Sequence, residues 1–242
     1  MHAKPKRAFV RGLFGTPDYS SGERLIQLRN AVENDLKVVL QKEKDYDLNY
    51  TTYVCGSANA DMLSAMGIQG IRLVDKRPYL FDKQYGLRHK IEFISLAMQE
   101  YDEVVWLDWD CNIIKKLPED FWEKMYARKS FQACLFSYRS GLNRLAYWRD
   151  KDQKIVANTG FTYLRDKGFM ERVVKAWEIT NKHINDEVAF TYALDETMGG
   201  WKGAAYYSSK YEPLVARMRG RGACTEEVYL SKDPYFIHYF RC

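Results

Sequence analysis

Asp108-Trp109-Asp110 follows the apolar run Val104–Leu107 without a break. On an extended chain, residues i and i+2 point to the same side, so two carboxylates converge at the end of a buried strand. Like charges that close repel unless a cation lies between them. Carboxylate oxygens suit a hard divalent ion, manganese or magnesium. Such an ion can hold a diphosphate and neutralise the charge it gains on leaving. His238 lies between Phe236-Ile237 and Tyr239-Phe240, an apolar setting in which a neutral imidazole needs a polar partner. A metal would supply one, and a mixed oxygen and nitrogen set favours manganese over magnesium.

Asp186-Glu187 is a second acidic pair. A carboxylate there can take a proton from an attacking hydroxyl or stabilise developing positive charge. The same acids also suit the first turn of a helix capped by Asn185. Arg88 and Lys90 can pair with phosphates or lie on an exposed helix face. Arg217, Arg219 and Arg221 alternate with Met218, Gly220 and Gly222. They read either as a basic lid over a diphosphate or as a solvated loop. Trp201 and Tyr206-Tyr207 can stack on a sugar, although core packing suits them as well.

These residues need a scaffold. Ala8–Leu13, Tyr50–Cys55, Ile71–Val74 and Val104–Leu107 read as strands bounded by turn residues. Leu25, Leu28, Val32, Leu36 and Val39 recur at helical steps, as do Ile91, Ile94, Ala97 and Met98. The first 110 residues thus predict strand, helix, strand, strand, helix, strand. Continuous apolar strands between amphipathic helices imply a mostly parallel sheet covered on both faces. In such sheets ligands sit beyond the carboxyl ends of the strands, where the acidic motif falls. Further on, Phe131–Phe136 and Ile155–Leu164 predict strands, the latter interrupted at Asn158-Thr159-Gly160. Helices are expected over Lys167–Thr180 and Asp186–Leu194, and a loop from Met198 to Gly222.

Length and composition narrow the classes. A chain of 242 residues can bury a full core without disulfides or a structural metal. Lysine and arginine exceed the acids 37 to 32, enough to favour an anionic ligand but spread too evenly for a nucleic-acid surface. Five cysteines, widely spaced and without a Cys-x-x-Cys, fit a reduced protein and argue against a zinc site. No apolar run reaches the length of a membrane span. The N-terminal residues lack the apolar core of a secretory signal, so a cytoplasmic protein is the expectation.

The segment Tyr101-Asp102-Glu103-Val104-Val105-Trp106-Leu107-Asp108-Trp109-Asp110, followed by Leu117-Pro118 and Phe121-Trp122, resembles the metal-binding segment of GT-A glycosyltransferases. It is most similar to family 8, the glycogenin-like enzymes. Other patches resemble the family in the same order. Thr16-Pro17-Asp18-Tyr19 resembles the loop that receives the nucleotide base. Asn158-Thr159-Gly160 resembles the Asn-Ser-Gly beside the donor sugar, and Asp186-Glu187 the Asp-Gln pair that follows. Ile237-His238-Tyr239 resembles the strand whose His completes the metal site. A basic residue of the family sits early in the helix before the acidic motif; Arg88, His89 and Lys90 compete for that place, and strict register points to Glu92.

The resemblance implies a single Rossmann-like GT-A domain with a mostly parallel central sheet flanked by helices. Residues 1–110 would form the nucleotide-sugar half and residues 111–242 the acceptor half. It implies transfer of a hexosyl or pentosyl unit from a nucleotide-sugar, UDP-linked by preference, to a glycan, glycoprotein or other hydroxyl acceptor. The metal would be Mn2+, with Mg2+ as a substitute, on Asp108, Asp110 and His238. Thr16, Asp18, Tyr19, Asp75, Arg88, Lys90, Asp108 and Asn158 would contact the donor, and Asp186 and Glu187 would lie at the reacting carbon. Tyr19 can stack on a uracil or be a half-buried loop residue, and Asp75 can bond the base or ribose or cap a helix. Two other enzyme classes use related features. A nucleotidyltransferase shares the fold but needs a Gly-rich basic loop after the first strand, of which Arg11-Gly12-Leu13-Phe14-Gly15 is a poor version. A haloacid-dehalogenase-like phosphatase also carries Asp-x-Asp, normally near the N-terminus and with Thr or Val where this chain has Asn112.

Overall fold

Residues that alternate in β1 (Arg7–Leu13) serve two different layers. Ala8 and Val10 enter the core on one face of a sheet, while Phe9 and Leu13 enter clusters on the other. The computed structural model describes residues 3–14, 36–74, 83–109, 111–128, 130–137, 155–180, 186–197, 205–206, 215–219, 226–229 and 235–240. In chain order the elements after β1 are α1 (Leu36–Asp45), β2 (Tyr50–Cys55), α2 (Ser57–Ala65), β3 (Ile71–Val74) and α3 (Lys83–Glu100). Then come β4 (Glu103–Leu107), β5 (Cys111–Ile113), α4 (Phe121–Tyr126), β6 (Phe131–Ser137) and β7 (Ile155–Leu164). The rest are α5 (Lys167–Thr180), α6 (Asp186–Thr197), β8 (Ala205–Tyr206), β9 (Val215–Arg219), β10 (Glu226–Tyr229) and β11 (Phe236–Phe240).

Seven strands form the main sheet in the order β3-β2-β1-β4-β7-β6-β8, and β10-β9-β11-β5 form a second sheet. From β3 to β4 the main sheet is parallel, and β7 then runs antiparallel to both β4 and β6. The α/β class and the flanked, mostly parallel sheet therefore stand as expected. β4 is buried along its whole length, as its unbroken apolar run requires of a strand covered on both faces. Its one acid, Glu103, is held by Arg7 at 2.8 Å and by the Tyr163 hydroxyl at 2.6 Å. One face of the sheet packs on α3, α5 and α6 through Phe93, Trp106, Phe131, Phe169 and Phe190. The other face packs on α4 and the second sheet through Phe9, Leu107, Phe121 and Phe236.

Several elements depart from the sequence reading. α2 fills a gap read as a plain connection. Only Asn59 and Leu63 are buried on it, too thin a stripe to register, yet parallel β2 and β3 require a crossover. Of the apolar stripe from Leu25 to Val39, Leu36 and Val39 fall in α1 as expected, while Leu25, Leu28 and Val32 lie outside the described residues. β7 keeps its expected bounds and is not interrupted at Asn158-Thr159-Gly160. Its register against β6 instead jumps from Ala133↔Thr162 to Cys134↔Asn158. The expected loop from Met198 to Gly222 contains β8 and β9. Arg217 and Arg219 belong to β9, paired with both β11 and β10, so they are not part of a free lid. Their i, i+2 alternation is the period of that strand.

Gly12 shows how tightly α3 presses on the sheet. A Cβ there would run into the Phe93 ring and would stand 2.9 Å from Trp106 Cη2. Gly12→Ala is expected to lower stability by about 1–3 kcal/mol, as overpacking does. Chemical denaturation, with an unchanged slope against denaturant, is the check.

Candidate active site

The end of β4 is turned, not extended. The Asp108 amide donates to Gly160 O at 2.8 Å, and the Cys111 amide donates to Asp108 O at 2.9 Å. That second bond joins the first and last residues of a four-residue turn that leads from β4 into β5. The Asp108 carboxylate points to the α3 face. Its Oδ1 accepts the Trp106 indole N–H at 2.7 Å, a contact between i and i+2 on one side of the strand.

Lys90 completes this arrangement from α3. It occupies the apolar stripe of that helix, in line with Ile94 and Ala97, and is only 3% exposed. Its ammonium lies 2.8 Å and 2.9 Å from the two oxygens of Asp108. It is also 3.0 Å from Asp186 Oδ2 and 3.0 Å from the Thr159 hydroxyl. The Thr159 hydroxyl in turn donates to Asp186 Oδ2. One cation thus ties together the end of β4, the register jump of β7 and the first residue of α6. Burial opposes the charge on Lys90, but the carboxylates of Asp108 and Asp186 outweigh it and hold the ammonium above its ordinary range.

The β7 irregularity supplies Thr159. Residues 159–161 have no register partner on β6, while Phe161 pairs with Leu107 of β4. An unpaired stretch of this kind bends the strand and re-aims its side chains, and here the Thr159 side chain meets Lys90. Asp186 is 4% exposed although it opens a helix, and the N-terminal end of that helix also favours its negative charge. Glu187 follows it and is half-buried. The Asp108 side chain, 33% exposed, is the most open of the charged groups in the cluster.

Of the competing basic residues, Lys90 is the one brought to the acidic motif. Arg88 pairs with Glu92 at 3.2 Å, with its side chain 42% exposed, and His89 Nδ1 lies 3.0 Å from the same Glu92. Thr16, Asp18, Tyr19, Asp75 and Asp110 lie outside the described residues, as do the side chains of Asn158 and His238. The backbone of His238 is described: in β11 it pairs opposite Cys111 of β5, the residue after Asp110. Opposed residues in an antiparallel pair have Cα atoms about 4.5–5.5 Å apart, so the register carries His238 to the acidic turn. Among the described residues, no three His, Cys, Asp or Glu side chains form a metal-binding group. Trp106 and Thr159 are the site residues that sequence reasoning left unassigned. Thr159 lies inside Asn158-Thr159-Gly160, and Trp106 has only its i−2 spacing from Asp108 as a signal.

No protein-family model matches the sequence, and no curated protein does. Solved structures do match. The galactosyltransferase LgtC, in complex with donor and acceptor sugar analogues, superposes with a TM-score of 0.54 at 14% identity, covering 96% of this chain and 86% of that one. A glycosyltransferase involved in glycosylation of the major capsid of PBCV-1 gives 0.51 at 14% identity over 97% and 93% of the two chains. Mouse xyloside xylosyltransferase 1 gives 0.52 at 9% identity over 96% and 97%. The fold of this chain is that of the GT-A glycosyltransferases.

Proposed function

We propose that this chain is a metal-dependent glycosyltransferase of the family 8 type, moving a sugar from a nucleotide-sugar, UDP-linked by preference, to an acceptor hydroxyl. The observation that carries this reading is the cluster in which Lys90 joins Asp108, Thr159 and Asp186 at the carboxyl end of β4. Ligands of open α/β sheets bind at that end, and a charged, hydrogen-bonding cluster is what polyhydroxylated, anionic donors require.

In this reading Asp108, Asp110 and His238 hold the metal, Mn2+ or in its place Mg2+. The β11–β5 register and the open side of Asp108 fit such a donor set. A bound ion would neutralise the charge that develops on the departing diphosphate. Thr16, Asp18, Tyr19 and Asp75 serve the nucleoside. Arg88 would serve the donor's phosphates and Asn158 its sugar. Lys90 and Asp186 present one cation and one anion to sugar hydroxyls and fix the donor's orientation. Asp186, joined to Lys90 and Thr159, stabilises positive charge at the reacting carbon, with Glu187 beside it. The acceptor is a glycan, glycoprotein or other hydroxyl compound bound by the second half of the chain.

Thermal stability with UDP, GDP and their sugar conjugates, with and without Mn2+, tests the reading. Ligand at a hundred times its dissociation constant stabilises by about 2.7 kcal/mol, a rise of roughly 5–10 °C in a chain of this size. A manganese-dependent rise with UDP species is expected. No shift with any nucleotide, in folded protein, would overturn the assignment. Sugar release without an acceptor-dependent product would favour a hydrolase instead.

A further inference from the structure

The acidic turn is gripped from both faces of the sheet, and the second grip has no part in the chemistry above. Lys90 and Trp106 hold Asp108 from the α3 side. Trp109 turns the other way and packs beside Val54, Leu63 and Leu13. Its indole N–H donates to Gly12 O, at the carboxyl end of β1, at 2.8 Å. The Arg11 guanidinium lies over the Trp109 ring, 4.2 Å from the ring centre, and over the Tyr50 ring at 4.1 Å. In its own plane Arg11 bonds Glu43 at 3.0 and 3.3 Å and Thr52 at 3.4 Å.

Stability alone does not explain this assembly. Arg11 and Glu43 are each 5% exposed, and a buried ion pair is often no better for stability than apolar residues of the same volume. What a guanidinium adds is a rigid plate that stacks on two rings while its edge stays hydrogen-bonded. Arg11 takes the position between Phe9 and Leu13 on that face of β1, where an aliphatic residue would otherwise pack. The plate gives Trp109 one seat, and Trp109 is the second residue of the turn. The ends of the turn are held by bonds from Asp108 N and Cys111 N.

Building on the transferase reading, we propose that Trp109, seated on Arg11 and latched to Gly12 O, is a positioning residue that sets the backbone carrying Asp108 and Asp110 for metal binding. Loosening the latch raises the cost of assembling the metal site without touching a ligand.

The test compares Trp109→Phe, which keeps a ring and loses the N–H, and Arg11→Lys, which keeps the charge toward Glu43 and loses the plate. The control is Met125→Ala, a cavity in α4, which Arg7 ties to the far end of β1 through Glu123. Two quantities are read: the affinity for Mn2+ in the presence of UDP, from the spin-resonance signal of free Mn2+, and hydrogen exchange at the Cys111 amide. Trp109→Phe and Arg11→Lys are expected to weaken Mn2+ binding about fivefold, the worth of one hydrogen bond, and to speed Cys111 exchange. Met125→Ala should lower the melting temperature and leave Mn2+ affinity unchanged. Wild-type affinity and protection in both latch variants would overturn the proposal alone. So would an equal loss of affinity in Met125→Ala. A wild-type protein that binds no Mn2+ with UDP would overturn the transferase reading and the latch's purpose together.

Discussion

Lys90→Met is expected to cost about 3–5 kcal/mol of stability at neutral pH and to abolish sugar transfer. Methionine matches the volume of the lysine stem, so packing along α3 survives and the loss is electrostatic. The carboxylates of Asp108 and Asp186 both lie within 3.0 Å of the Lys90 ammonium. Without it, two like charges face each other, one of them buried. The pH dependence separates this from a simple packing defect. In the wild type the raised Lys90 ionisation contributes stability that is complete below lysine's ordinary range. It is lost only as pH rises through the still higher folded value, so the ammonium contributes evenly from pH 5 to pH 9. In Lys90→Met the buried Asp186 carboxylate faces Asp108 with no cation between them, and protonation of the pair at low pH relieves that repulsion. The deficit of the variant should therefore shrink toward pH 5 and widen above pH 7 in melting curves. A deficit that does not change with pH would mean that the two carboxylates do not depend on Lys90.

That cluster marks how far a sequence can be read. β4 is legible because an unbroken apolar run that ends in acid is a local pattern. The bounds of α5 follow equally from local periodicity, and Lys167–Thr180 is found as expected. Lys90 stands beside Arg88 and His89 as one of three basic candidates, and strict register points instead to Glu92. Only packing against Trp106 and Asp108 decides among them. Thr159 depends on a register jump against β6, which no window of sequence encodes. The Trp109 latch joins residues 97 positions apart, and Arg11 reads locally as a flaw in an apolar strand. β9 was missed for the opposite reason: alternating arginines hide a strand that hydrophobic periodicity is built to find. Local pattern thus yields the scaffold, while the site rests on contacts between elements far apart in the chain.

Asp108→Asn separates the two tasks that Asp108 is given. The amide keeps the shape of the side chain and removes its charge. Lys90 retains Asp186 at 3.0 Å, so no buried ammonium is left uncompensated. The cost to the fold is then that of hydrogen bonds to a charged group, about 1–3 kcal/mol. Turnover should fall much further, by about a hundredfold to a thousandfold, as when a group that meets developing charge is removed. Asp186→Asn makes the matched comparison, because it removes the other carboxylate from the same ammonium at a similar cost to stability. The pair differ in metal binding. Mn2+ affinity with UDP should drop in Asp108→Asn and hold in Asp186→Asn, while the latter raises the KM for the nucleotide-sugar. If Asp108→Asn keeps wild-type Mn2+ affinity, the Asp108 carboxylate serves as the anchor of Lys90. Metal binding would then rest on Asp110 and His238, with the turn between them and Asp108 acting as their mount.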